Sequence, residues 1–94
     1  MDWYTSMLNF VRTVDTGSLA KAARELDVVP SAISKSISRL ERCADVQLLE
    51  RSTRKLVPTE AGWAFYRVAK DAVTVTQVAR ETIKQFARLN DADQ

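Results

Sequence analysis

Serine and basic side chains recur on one side of a short predicted helix, and they are the residues of this chain best suited to bind a partner. At 100° per residue they share one face. They are Ser31, Lys35, Ser38 and Arg42, flanked by Ser34 and Arg39. Short hydroxyl groups let a helix lie deep in a groove and bond to base edges or phosphates, and a lysine reaches guanine acceptors or a phosphate. The pattern predicts a helix that reads nucleic acid; the alternative is a serine-rich face that meets only solvent.

The elements that must position this face form a predicted helix-turn-helix over residues 18–42. Behind the serines, Ile33, Ile37 and Leu40 cluster on the opposite side of the helix. Pro30 suits the first turn, where a missing N–H costs nothing. The preceding helix has an apolar face at helical spacing. Its residues are Leu19, Ala22, Ala23 and Leu26, of which the two alanines allow a close crossing.

Positive charge is concentrated on this helix and on the segment after it. The net charge of the 94 residues is only +2, but residues 31–55 carry six cations against three acids. Residues 59–94 balance at five and five. Such an asymmetry is typical of a surface that meets nucleic acid.

Composition excludes several other classes of function. The chain has one cysteine, Cys43, and no histidine, which excludes an intrachain disulfide, a closed zinc site and histidine-based catalysis. The sequence has neither a glycine-rich phosphate loop nor a pair of carboxylates placed by a motif, so we expect no enzyme, no metal and no cofactor. It also has neither a signal segment nor a run of 18 apolar residues, and we expect a cytoplasmic location and no membrane contact.

Two further elements complete a head over residues 1–58. A first helix capped by Asp2 and ended by Gly17 would support the motif from behind, and Ser18 would cap the next helix. Residues 48–51 and 55–57 flank a polar tip and predict a short two-stranded hairpin. Its cations, including Arg51 and Arg54, would contact a phosphate strand or a narrow minor groove. The alternative is an ordinary polar turn.

A long helix is predicted from Thr59, a good N-cap after Pro58, to about Leu89. Apolar residues recur there with alternating spacings of four and three, as in a coiled coil. They are Ala61, Phe65, Val68, Ala72, Val75, Ala79, Phe86 and Leu89, with a polar break at Thr82. A helix of about 30 residues spans about 45 Å, more than a 58-residue head can cover. We expect it to pair with a second copy; the alternative is a core helix of one compact domain.

The chain resembles the N-terminal DNA-binding domain of LysR-type transcriptional regulators over residues 2–62. The matching residues are Phe10, Val11, Val14, TGSLAKAAREL (16–26), SAISKSI (31–37), Leu40, Glu41, LLER (48–51) and TEAG (59–62). The resemblance implies a mainly α fold: a winged helix-turn-helix of three helices and a short two-stranded β wing, followed by a long linker helix. It implies a sequence-specific regulator that binds an inverted-repeat operator as a homodimer with antiparallel linker helices.

The resemblance also assigns residues to roles. The residues that would contact bases or nearby phosphates are Pro30, Ser31, Ser34, Lys35 and Ser38. Arg51 and Arg54 would make the contacts of the wing. Ser18 and Lys21 would contact the DNA backbone. The residues that would form the dimer interface are Ala61, Phe65, Val68, Ala72, Val75, Ala79 and Phe86. The wing would span about 48–58 and the linker helix 59–89. Residues 90–94 would be a frayed tail or the start of a hinge to an effector-binding domain, which the chain lacks, so it is either a fragment or a stand-alone head.

Five positions depart from the family pattern. Val29 stands where serine is common, which removes the usual cap of the reading helix, and Pro30 stands where glutamine is frequent. Ala44 and Asp45 replace a Leu-Gly turn, and Leu49 replaces a common phenylalanine. The missing cap and the modest net charge keep a second hypothesis open, in which the head no longer reads DNA and the long helix serves protein interaction.

Overall fold

A computed structural model describes residues 1–50 and 56–92, with side chains as far as residue 90. Its elements are α1 (Trp3–Thr16), α2 (Leu19–Leu26), α3 (Pro30–Ala44), β1 (Leu49–Glu50), β2 (Val57–Pro58) and α4 (Glu60–Ala92). The predicted fold class is confirmed: three helices and a two-stranded antiparallel sheet precede one long helix. The hairpin tip, with the predicted wing residues Arg51 and Arg54, lies outside the described residues.

Local capping fixes the first three helices. The Asp2 carboxylate accepts hydrogen bonds from the hydroxyl and from the backbone N–H of Thr5. Both bonds lower the pKa of Asp2, and the bond from the hydroxyl has the larger effect. Gly17 ends α1 at φ 70°, and the Ser18 hydroxyl caps α2 by accepting from the Lys21 N–H at 3.2 Å. Asp45 ends α3 at φ 54°, the left-handed conformation that glycine favours and aspartate tolerates.

The core lies where α1, α2 and α3 meet the hairpin and the start of α4. Its buried residues are Phe10, Ala22, Ala23, Ile33, Ile37, Leu40, Leu48 and Leu49. The rings of Phe10 and Phe65 lie 5.2 Å apart between centroids, which joins α4 to α1. The apolar sides of α2 and α3 predicted from periodicity therefore do meet in the interior.

The hairpin and the start of α4 are held together by backbone contacts. Leu49 pairs with Pro58 and Glu50 with Val57. The Thr59 hydroxyl accepts from the Gly62 N–H at 3.0 Å and donates to the Gln47 carbonyl at 2.6 Å, so Thr59 is the predicted N-cap. A Cβ on Gly62 would lie 2.0 Å from the Leu48 carbonyl oxygen, so only glycine fits this crossing.

Helix α4 runs antiparallel to α1. Near its start Tyr66 contacts Asp15, at the end of α1, whereas further along Arg80 lies over the ring of Tyr4, near the beginning of α1. Beyond Arg80 every described side chain of α4 is exposed, and the helix continues to Ala92, past the predicted end at Leu89. The projecting helix gives the molecule a longest dimension of 58 Å. None of the helices in the described ranges has the length and apolar content needed to cross a bilayer.

Candidate nucleic-acid interface

The two sides of α3 differ as the sequence predicts. Ile33 and Ile37 are 0% exposed and Leu40 is 2% exposed, since they pack against α1, α2 and the hairpin. The polar side is open to solvent: Ser31 and Lys35 are exposed, and Ser34 and Ser38 are half-buried. Burial of the branched side chains fixes the rotation of α3 about its own axis. The serine and lysine side chains are therefore displayed on three successive turns.

The first turn of α3 also attracts negative charge. Val29 precedes the helix in an extended conformation and makes no side-chain cap, as its residue type predicts. Val29, Pro30 and Ser31 are all exposed, so the amino end of the helix dipole faces solvent. Helix amino ends favour anions such as phosphate groups. Of the predicted contact residues, Pro30 and Ser31 lie at this end.

Cationic side chains extend along the same helix. Lys35, Arg39 and Arg42 are exposed, and within residues 1–50 and 56–92 none of the three takes part in an ion pair. Ser18 and Lys21, the predicted backbone contacts, lie at the first turn of α2, which packs against α3. The Ser18 oxygen is occupied by its capping bond, which leaves its hydroxyl hydrogen as a donor.

One residue that positions the site escaped the sequence-based assignment. The Glu41 carboxylate accepts hydrogen bonds from the backbone N–H groups of Leu48, at 2.8 Å, and Leu49, at 3.2 Å. It thereby ties the first strand of the hairpin to the reading helix. Glu41 was recognised only as part of the family pattern. The one indication that Glu41 positions the hairpin was its place on the half-buried edge of α3, just before the hairpin.

The residues predicted for the dimer interface fall into two groups. Ala61 and Phe65 pack against the core of their own chain. Val68, Val75, Ala79 and Phe86 are exposed, and Ala72 is half-buried. The head is contacted by a neighbouring stripe of α4, which lies roughly 120° around the helix from the exposed residues.

This stripe was missed by the sequence reasoning. Its buried members are Ala69 and Val73, which follow Phe65 at intervals of four residues. The four-residue spacing could have identified Ala69 and Val73, but the prediction for this helix was based on the longer heptad pattern beside it. Helix α4 thus has two apolar stripes: one covered by the head, and one open.

Within residues 1–50 and 56–92 no three histidine, cysteine, aspartate or glutamate side chains are grouped to hold a metal ion. Cys43 is exposed near the end of α3.

Comparison with protein families and curated proteins gives one consistent result. Residues 5–63 match the family model described as "Bacterial regulatory helix-turn-helix protein, lysR family". The chain is 41% identical over 73 residues to the probable HTH-type transcriptional regulator LtrA of Klebsiella pneumoniae, covering 78% of this chain and 24% of LtrA. It is 36% identical over 86 residues to the transcriptional activator AaeR of Escherichia coli K12, covering 92% of this chain and 28% of AaeR. The chain thus spans about a quarter of the length of these relatives.

Solved structures extend the similarity to the long helix. The BenM DBD in complex with catB site 1 DNA superposes with a TM-score of 0.83 at 30% identity, covering 93% of this chain and 96% of that one. The CbnR DBD–DNA complex superposes with a TM-score of 0.78 at 29% identity, covering 93% and 99%. In both comparisons the match spans nearly the whole of each chain.

Proposed function

This chain belongs to the lysR family of bacterial regulatory helix-turn-helix proteins, and we propose that it is the part of a transcriptional regulator that binds an inverted-repeat DNA site as a homodimer. Residues 1–58 form the winged helix-turn-helix and α4 forms the linker that pairs with its copy. The observation that carries the proposal is the division of α3 into a buried isoleucine side and an open serine–lysine side.

The open side of α3 suits the major groove of a duplex. Ser31, Ser34 and Ser38 have short side chains, so the helix axis can approach the base edges closely. Lys35 stands between them and bonds to a guanine or a phosphate. Pro30 lies at the amino end of α3, where bound recognition helices come nearest to the bases. Because Pro30 offers no amide for adenine, discrimination at its position relies on DNA shape.

Other residues hold the protein on the phosphate backbone. Ser18 and Lys21 contact it from the start of α2, and Arg51 and Arg54 of the predicted wing contact the backbone or the minor groove. Contacts of this kind fix orientation and add affinity for any sequence. The Glu41 carboxylate supports them by holding the first strand of the hairpin against α3.

The homodimer forms through the open apolar stripe of α4. Val68, Val75 and Phe86 are large apolar side chains exposed to solvent by 64–69% of their surface. Together with Ala72 and Ala79, whose small side chains allow two helices to approach, they form a continuous seam. Ala61 and Phe65 contribute by anchoring this helix to the head. A two-fold dimer places two copies of α3 for symmetric half-sites.

A regulator of this design needs a source of regulation beyond the present chain. We propose that a small-molecule effector acts through a further domain in the longer protein, since the relatives are about four times as long. The binding target also implies a location in the bacterial cytoplasm, with the chromosome. Membership of the family supports a role as a regulator rather than an enzyme.

Selection of bound sites from a random duplex pool tests the proposal. We expect enrichment of an inverted repeat whose half-sites lie on one face of the duplex, and a stoichiometry of two chains per site. Random duplex at low salt should also be bound weakly, because the basic face releases counterions from any sequence. A chain that dimerises but binds no duplex at low salt would instead be a protein-interaction module.

A further inference from the structure

A single carboxylate connects the end of α1 to the long helix. The side chain of Asp15 is 19% exposed, and its Oδ2 atom lies 3.1 Å from Nη1 of Arg12. Its Oδ1 atom accepts a hydrogen bond from the Tyr66 hydroxyl and lies 3.4 Å from Nζ of Lys70. Lys70 in turn donates to the Tyr66 hydroxyl at 2.8 Å. This bond, and then the charge of Asp15, raise the pKa of Lys70, so the ammonium form persists.

The same network extends into the helix-turn-helix. Arg12 places Nη2 at 2.8 Å from the carboxylate of Glu25 on α2. Polar side chains of α2, α1 and α4 are thus joined in one chain of contacts centred on Asp15. Within residues 1–50 and 56–90, the hydrogen bonds and ion pairs of its members do not include Ser31, Ser34 or Lys35 of the reading face.

A second, separate contact lies at the other end of α1. The guanidinium of Arg80 lies 4.5 Å from the ring centroid of Tyr4. Between the two contacts the buried side chains of α4 are small: Ala69 and Val73. Small side chains interlock weakly, so they allow a helix to pivot more readily than large ones do. The contacts at the two ends therefore act together with the packing of Phe65 on Phe10 to define the direction of α4 across the head.

We propose that Asp15 is a positioning residue that fixes the direction of α4 on the head and thereby sets the spacing between half-sites that the homodimer accepts. This inference rests on the proposed function, because it requires two heads joined through α4. Asp15 acts only through the helix and contacts no DNA.

The length of α4 amplifies small changes at Asp15. From Tyr66 to Phe86 the helix rises by about 30 Å. A tilt of about 10° over that length displaces the dimer seam by about 5 Å, more than one base-pair step of about 3.4 Å. Since the two heads are joined through that seam, a loosened pivot changes the separation of the two α3 helices without altering either reading face.

Three variants separate this role from general stability. Asp15→Ala removes the shared carboxylate, and Tyr66→Phe removes only the hydroxyl that donates to it. Glu81→Ala is the matched control, because it removes a carboxylate from an ion pair with Arg88 (3.2 Å) on the part of α4 that does not contact the head. Thermal unfolding of each variant checks that the variant is folded before its DNA binding is compared.

The first measurement is affinity for duplexes in which the selected half-sites are moved apart or together by one or two base pairs. We expect the unaltered chain to lose about 100-fold in affinity at two base pairs from its optimum, and Asp15→Ala to lose only about tenfold. Tyr66→Phe should lie between them, and Glu81→Ala should match the unaltered chain. Affinity for a single half-site should change by less than about twofold in all variants. An unchanged spacing profile for Asp15→Ala would overturn the proposal.

The second measurement needs no DNA. Cys43 is exposed and is the only cysteine of the chain, so Lys84→Cys gives a pair of spin-label sites, one on the head and one on the far part of α4. With labelled chains diluted into unlabelled ones, the distance distribution is intramolecular. Asp15→Ala should broaden it, and Glu81→Ala should not. If the unaltered chain bound no duplex, the proposed function and the spacing role would fail, whereas an unbroadened distribution would overturn only the positioning by Asp15.

Discussion

Helix α3 and the far part of α4 both expose surface to solvent, but the exposed surfaces that could bind a partner have opposite chemistry. On α3 the apolar side is fully inside the head and the open side carries hydroxyl and basic groups. On α4 beyond Arg80 neither side is covered, and Ile83, Phe86 and Leu89 are all at least 60% exposed. Polar groups keep their hydrogen bonds to water when exposed, whereas apolar surface costs about 25 cal/mol per Å² left in water.

This difference indicates two kinds of partner. The open side of α3 is stable in water and gains only when a ligand with matching charge and hydrogen bonds replaces that water. The open side of α4 gains from any apolar surface that covers it, and a second copy of the same helix offers one. The following predictions alter the open surface of one of these regions or the junction between the head and α4.

The largest effect is expected from Phe86→Asp, which places a charge in the apolar seam. Because both copies in a two-fold dimer lose the ring, the dissociation constant of the dimer should rise about 1,000-fold, roughly 4 kcal/mol. Sedimentation equilibrium measures it. Gln77→Asp adds the same charge on the other side of α4 and should leave the dimer unchanged; equal effects of the two substitutions would contradict the assignment of the seam.

A smaller effect is expected from Gly62→Ala, which tests the junction between the two regions. The added methyl group would meet the Leu48 carbonyl oxygen, so the hairpin and α4 must separate. We expect the free energy of unfolding in urea to fall by about 3 kcal/mol.

Gly17→Ala serves as its comparison. Gly17 has positive φ but open space around it, so alanine there should cost only about 1 kcal/mol. If Gly62→Ala cost no more than Gly17→Ala, the close crossing of α4 and the hairpin would be wrong.

An effect smaller than that of Gly62→Ala is expected from Lys35→Ala, which alters only the open side of α3. Affinity for the selected site should fall about tenfold, roughly 1.4 kcal/mol, with relaxed preference at one base pair. Fluorescence anisotropy with the site and its single-base variants measures both quantities. Lys84→Ala removes an exposed lysine from the far part of α4 and is the control. A uniform loss across all sequences would show that Lys35 contacts a phosphate and reads no base.

Much of the head could be predicted from the sequence, because its determinants are local. Asp2, Gly17 and Ser18 act on N–H groups or backbone angles within a few residues of themselves, and residue type was enough to identify them. The two sides of α3 follow from helical periodicity in the same way. Val29 was correctly predicted to leave α3 without a side-chain cap.

The division of α4 into two stripes needed the tertiary structure. Ala61 and Phe65 fit a dimer seam by spacing, but in the structure they are half-buried against the core of their own chain. Gly62, Glu41 and Asp15 are similar cases, since each contacts a residue at least 7 positions away.

The sequence by itself therefore determined which segments are helices, where they begin, and which sides of α2 and α3 are apolar. Only the tertiary structure decided which apolar side is covered by the same chain and which remains for another. The physical reason is that periodicity records the side chains of one helix, whereas burial depends on which other elements reach it, and that is set by contacts between distant parts of the chain.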